Sequence, residues 1–163
     1  MLRRYTLLAM TAFLFMHCAQ EPAKIELSNP GFGMVETSIA IRAEGTDLPV
    51  LLNTDQAIKG IQFTMVWDPT LAVVGQPVLT PTNSGFTVSA KKNINGTMKV
   101  LVFSMTGDVL NTTDPHVMNI PVSILEIEAT KISIDFEDVI FAGPSATSYD
   151  IPVTQARLKV TDR

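Results

Sequence analysis

Residues able to do chemistry are few and scattered in this 163-residue chain. Its two histidines are His17 and His116, and its single cysteine is Cys18. Nucleophilic catalysis needs a hydroxyl or thiol held beside a base, and no Gly-x-Ser-x-Gly turn supplies one. No His-x-x-x-His metal pair and no phosphate loop are present. Asp135, Glu137 and Asp138 form the only local acid cluster. Calcium takes about six to eight converging oxygens, and strict strand alternation sends Asp138 away from the other two. The cluster therefore reads as a solvated strand end. Glycoside hydrolysis needs only two carboxylates, but they must face each other across a cleft, for which a small sandwich has little room. The expectation is a protein that is not an enzyme and uses neither cofactor nor metal.

Cys18 has a different use. Arg3 and Arg4 precede the apolar run Leu7–Met16, the charge order and length of a signal peptide. Cys18 sits where cleavage would fall, and a lone cysteine in an exported chain makes no internal disulfide. Its place resembles the lipidated first residue of bacterial lipoproteins, although Met16 and His17 are bulkier than that family prefers. Ordinary cleavage after Ala19 or Ala23 is the alternative. The expected organisation is a signal peptide at 1–17, a tether at 18–32 and one domain at 33–163. The expected location is the cell envelope through a lipid anchor at Cys18, otherwise secreted or periplasmic. Losing Arg3 and Arg4 from 12 basic residues leaves 10 against 16 acidic ones, a net charge of −6. With no Lys/Arg run, nucleic acid is excluded as a partner, and membrane contact is expected only through the anchor.

The elements that must position any binding residues are strands. Val35, Thr37, Ile39 and Ile41 alternate with polar positions, and Leu48–Leu52 follows a turn at Glu44–Asp47. Ile61, Phe63, Met65 and Trp67 share one side of a strand that ends at Asp68-Pro69, since proline lacks an N–H for a ladder. Asn95-Gly96 between apolar runs is a hairpin turn, because both residues accept positive φ. Later strands are expected at 98–104, 116–128 (one, or two broken at Pro121), 132–136, 139–141 and 156–160. Such a series of short strands predicts an all-β sandwich or barrel.

The run Gly60-Ile61-Gln62-Phe63-Thr64-Met65-Val66-Trp67-Asp68-Pro69 resembles a strand of the cohesin family, which carries a glycine, alternating apolar residues, an aromatic and Asp-Pro. Neighbouring features follow the family's order: Pro49–Asn53 before it, then Gly85-Phe86-Thr87-Val88, the Asn-Gly turn, Ser104 to Gly107 and Ile120-Pro121-Val122. The resemblance covers roughly residues 33–161. It implies a jelly-roll sandwich of about nine strands, related in shape to some carbohydrate-binding modules, and capture of a dockerin or similar module on another exported protein. Family members usually sit in scaffolds with several copies, whereas one module is read here.

The resemblance also implies a partner-binding face on the sheet that holds 61–67 and 98–104. Alternation, applied to each strand separately, puts Phe63, Met65, Trp67, Leu101 and Phe103 inside. It leaves Gln62, Thr64, Val66, Val100, Val102 and Ser104 as the contact face, an apolar stripe with a polar rim. Gln62 stands where cohesins often place a small polar or acidic residue. Trp67 could stack on a sugar, but lies on the inner side; Tyr149, in a polar loop, is a freer ring standing alone. The expected function is a non-catalytic, monomeric, exported binding module that captures a dockerin-type or other protein. The alternative is a carbohydrate-binding module for polysaccharide, and a third class is a structural envelope module.

If Cys18 carries the anchor, Cys18→Ser releases the protein from the membrane fraction. Unchanged membrane fractionation removes the lipoprotein reading.

Overall fold

The computed structural model describes residues 27–110, 113–125 and 131–161. The signal peptide expected at 1–17, Cys18 and most of the tether lie outside the described residues. Short strands and tight turns build two sheets packed face to face, a jelly-roll sandwich as expected. In chain order the strands are β1 Gly31–Gly33, β2 Thr37–Ala40, β3 Thr46–Asn53, β4 Gly60–Trp67, β5 Ala72–Val74, β6 Val78–Leu79 and β7 Thr87–Lys92. They continue with β8 Thr97–Phe103, β9 His116–Ile124, β10 Lys131–Ala142, β11 Ser148–Tyr149, β12 Val153–Thr154 and β13 Ala156–Thr161. One sheet runs β12-β1-β3-β9-β5, with β6 also on β9. The other runs β2-β13-β10-β4-β8-β7, with β11 also on β10.

The first and last strands tie the sheets together. β1 pairs in parallel with β12 in the first sheet, and β2 pairs in parallel with β13 in the second. The same sequence offset relates Phe32 to Val153, Gly33 to Thr154, Thr37 to Leu158 and Ala40 to Thr161. The two ends of the domain therefore cross between sheets as one parallel pair with unbroken register. Gly33 permits the closest approach. Its φ is +137°, and a Cβ there would lie 2.0 Å from the Thr154 carbonyl oxygen. Where the pairing of β13 with β10 ends at Ala156 and Ile134, the Gln155 side chain takes over the ladder. Its Oε1 accepts the Phe136 N–H, and its Nε2 donates to the Phe136 carbonyl at 3.2 Å.

Phe32 is the hub of the core and is fully buried. β1 begins at Gly31, so its first two residues, Phe32 included, overlap the tether expected at 18–32. Phe32 meets Phe63, Phe136 and Phe141 of the opposite sheet at centroid distances of 5.4, 5.5 and 5.2 Å, and Phe63 meets Phe136 at 5.5 Å. Tilted and edge-on rings at these distances add about 0.5–1.5 kcal/mol per pair beyond area burial.

Two turns hold β4 in place. Gly96, at φ +77°, lets its carbonyl accept the Trp67 N–H at 2.9 Å; a Cβ there would lie 2.1 Å from the Trp67 oxygen. Beyond the strand, Asp68 Oδ1 accepts the Thr70 hydroxyl at 2.6 Å and the Thr70 N–H at 2.8 Å. These bonds hold its carboxyl below the usual range. β9 runs straight through Pro121, which is opposite Asp47, so the proline does not break that strand.

Phe32→Ala empties the centre of the ring cluster and is expected to lower unfolding free energy by about 3–5 kcal/mol in urea titrations. A loss under about 1 kcal/mol would remove Phe32 from the centre of the core.

Candidate functional site

The outer face of the β2-β13-β10-β4-β8-β7 sheet collects the residues most suited to contact. In β4, alternation places Phe63, Met65 and Trp67 in the core and leaves Gln62, Thr64 and Val66 half-buried on the outer side. The β4–β8 register then decides the face of β8, because direct cross-strand partners share a face. Phe63 lies opposite Val100, Ile61 opposite Val102, Gln62 opposite Leu101, and Thr64 opposite Lys99.

This register corrects the expected set. Val100 and Val102 are core residues with 0% exposure, while Leu101 is 41% exposed and Phe103 is half-buried on the outer side. Met98–Phe103 is apolar at every position but Lys99, so apolar alternation alone cannot choose its inner side. Lys99 is the clue, since a lysine sent inward would bury an unpaired charge. Ser104 lies beyond the end of β8. Its hydroxyl oxygen accepts the N–H groups of Thr106 at 3.2 Å and Asp108 at 3.0 Å, which closes a turn.

β10 supplies a residue that alternation misses. Phe136 and Phe141 both face the core although an odd number of steps separates them. A β-bulge absorbs the extra residue: the pairing with β4 shifts between Glu137 and Ile140, and Asp138 has φ +49°. Glu137, Asp138 and Ile140 are all exposed as a result, Ile140 at 48%. The exposure of Glu137 and Asp138 agrees with the solvated character expected of this acid cluster.

The outer face consequently reads in rows across the strands. One row holds Ile140, Gln62, Leu101 and Ser89; the row beyond it holds Ala142, Gly60, Phe103 and Thr87. On the other side of the first row lie Glu137, Thr64, Lys99 and Lys91. Gly60 leaves its row without a side chain between Ala142 and Phe103 and is itself buried. Charge is uneven. Asp135 is paired with Arg157 at 2.8 Å, whereas Lys91 and Lys99, directly opposite each other, make no ion pair among the described residues.

Other candidate chemistry is weaker. Trp67 is buried, its indole N–H donates to the Ala72 carbonyl at 3.1 Å, and the Lys92 ammonium lies over its ring. That ring is not available to a sugar. Tyr149 is half-buried beside a shallow pocket of about 150 Å³ with Asp55 and Asp150. His116 shares Nε2 with Asn119 Oδ1 at 2.8 Å. Among the described residues, no group of three His, Cys, Asp or Glu side chains converges as metal ligands would.

No protein-family model matches the sequence, and no curated protein matches it. Solved structures do match the fold. The sixth cohesin of scaffoldin B from Acetivibrio cellulolyticus, solved with a Cel5 dockerin, superposes with a TM-score of 0.70 at 19% identity. The match covers 82% of this chain and 100% of that one. A cohesin of OlpA from Clostridium thermocellum, solved with a dockerin, gives 0.69 at 15% identity, covering 80% and 98%. A non-cellulosomal cohesin from the archaeon Archaeoglobus fulgidus gives 0.66 at 8% identity, covering 80% and 90%. The fold is therefore that of cohesin modules, as the strand order resembles.

The corrected register is directly measurable. With Cys18→Ser as background, Leu101→Cys is expected to react with a thiol reagent at least about 100-fold faster than Val102→Cys, whose labelling waits for an opening of the fold. Equal rates, or the reverse order, would overturn the assignment of faces.

Proposed function

We propose that this chain is a non-catalytic binding module that captures a dockerin-type or other protein partner on the outer face of the β10-β4-β8-β7 strands. The observation that carries this reading is the set of large apolar groups held outward on either side of β4, Leu101 and Phe103 on β8 and Ile140 on β10, with Gln62 between them and Thr64 and Ser89 beside them. A buried apolar centre with a polar rim is the anatomy of a protein interface. The fold supports it, since modules of this architecture were solved with dockerins bound. In place of the expected stripe of Val66, Val100 and Val102, the contact set becomes Gln62, Thr64 and Val66 with Leu101, Phe103 and Ile140. The module works as a monomer, exported and held at the cell envelope by the lipid on Cys18. A sugar-binding reading loses its best ring with Trp67, and Tyr149 alone is a poor platform.

The test is capture of secreted proteins from the same cells, run beside insoluble polysaccharides. Leu101→Asp is expected to weaken the captured protein's affinity by at least about tenfold, as a central interface residue does, with the melting temperature unchanged. Retention on polysaccharide with no protein captured would sink the reading.

A further inference from the structure

Sulfur is unevenly divided between the interior and the surface. From residue 27 onward the methionines are Met34, Met65, Met98, Met105 and Met118. Four of them are core residues with at most 2% exposure, whereas Met105 is 82% exposed. A single apolar side chain at the surface is ordinary and implies no partner. A thioether in that place adds a chemistry that leucine or isoleucine lacks, since an oxidant that reaches the sulfur converts it to a sulfoxide.

The local structure holds Met105 outward. It follows Ser104 in the turn after β8, where the Ser104 hydroxyl oxygen accepts the N–H groups of Thr106 and Asp108. The Thr106 hydroxyl donates to the Asp108 carboxylate, and Gly107 takes φ +80°. Beyond the turn, Leu110 is buried and its N–H donates to the Ile58 carbonyl at 2.8 Å. The segment is thus fastened on both sides of Met105, whose side chain takes no part in the core. Phe103, on the outer side of β8, lies only two residues away, within roughly 7 Å along the backbone.

Resting on the reading of that outer face as the docking surface, we propose that Met105 is a peroxide-sensitive modification site whose oxidation weakens capture. A sulfur lone pair attacks one oxygen of hydrogen peroxide, so that an S–O bond forms as the O–O bond breaks. The proton on the transferred oxygen passes to the departing hydroxide. The thioether is oxidised to a sulfoxide, and the peroxide is reduced to water. A flexible apolar side chain becomes a polar one at the border of the face that holds Phe103 and Leu101. Methionine sulfoxide reductases reverse the change.

The test exposes the folded chain, with Cys18→Ser as background, to hydrogen peroxide and follows oxygen uptake by peptide mapping. Met105 is expected to react at least about tenfold faster than Met34, Met65, Met98 and Met118, whose sulfurs wait for an opening of the fold. In denaturant the five rates converge. With the peroxide removed, affinity for the protein captured from the secreted fraction is expected to fall at least about threefold and to recover after reductase treatment. Met105→Leu captures like the untreated chain and ignores peroxide. A Met105 rate no faster than the buried four, rates as far apart in denaturant, or capture unchanged by full oxidation of Met105 each overturns the proposal. So does a loss of capture that persists in peroxide-treated Met105→Leu. Failure here is separable from failure of the docking face. If Leu101→Asp blocks capture and oxidation does not, the face stands and the switch falls. If capture ignores Leu101→Asp, the face is lost and the effect on capture with it, and the rates alone decide the modification site.

Discussion

Phe32 packs against Phe63, Phe136 and Phe141 at 5.2–5.5 Å between ring centroids, and this contact between sheets sets the geometry of nearly everything around it. Three rings from β4 and β10 must all point at one ring on β1. For Phe32 to reach them from the opposite sheet, the first strand has to hold a fixed place beside β3. The parallel pairing with β12 secures that place, with Gly33 removing the Cβ that would strike the Thr154 carbonyl. Because the same pair continues as β2 with β13, closure at both chain ends is one cooperative feature. Long-range pairing of this kind is slow to form but hard to open piecemeal.

The same constraint shapes the outer surface. Phe136 and Phe141 can both reach Phe32 only if β10 gains a residue between them, and the bulge at Asp138 is that gain. Turning Phe141 inward after the bulge turns Ile140 outward. On β4, holding Phe63 and Met65 inward turns Gln62 and Thr64 outward, and the β4–β8 ladder carries this parity to Leu101 and Lys99. The exposed apolar patch is thus the complement of the aromatic core, written one residue out of step.

How much of this was legible depends on how cleanly each segment alternates. β4 reads directly, since Gln62 and Thr64 interrupt the apolar residues at alternate places, and Asp68-Pro69 marks its end. The hairpin reads equally well: Asn93 N–H donates to the Thr97 carbonyl at 2.8 Å, and Gly96 takes positive φ. β8 misled because Val100, Leu101, Val102 and Phe103 are apolar without a break, so one charged residue carried all the information about its inner side. β1 was hidden differently. Gly31-Phe32-Gly33 is too short for a period, and its strand character comes from partners far away in sequence. The bulge was encoded in the odd spacing of Phe136 and Phe141, which has meaning only once both are known to be core.

Stability and recognition are therefore drawn from different residues of the same strands. The core tolerates no exchange at Val100 or Val102 without losing packing against Ile61 and Phe63, their partners across the ladder. Leu101, Ile140, Lys91 and Lys99 answer to no such demand. A sheet selected for stability alone would favour opposite charges at the paired positions 91 and 99, and polar groups at 101 and 140. Lys91 guards the edge strand β7, but the exposed Leu101 and Ile140 serve no such purpose, and their apolar surface is what a partner on this face would cover.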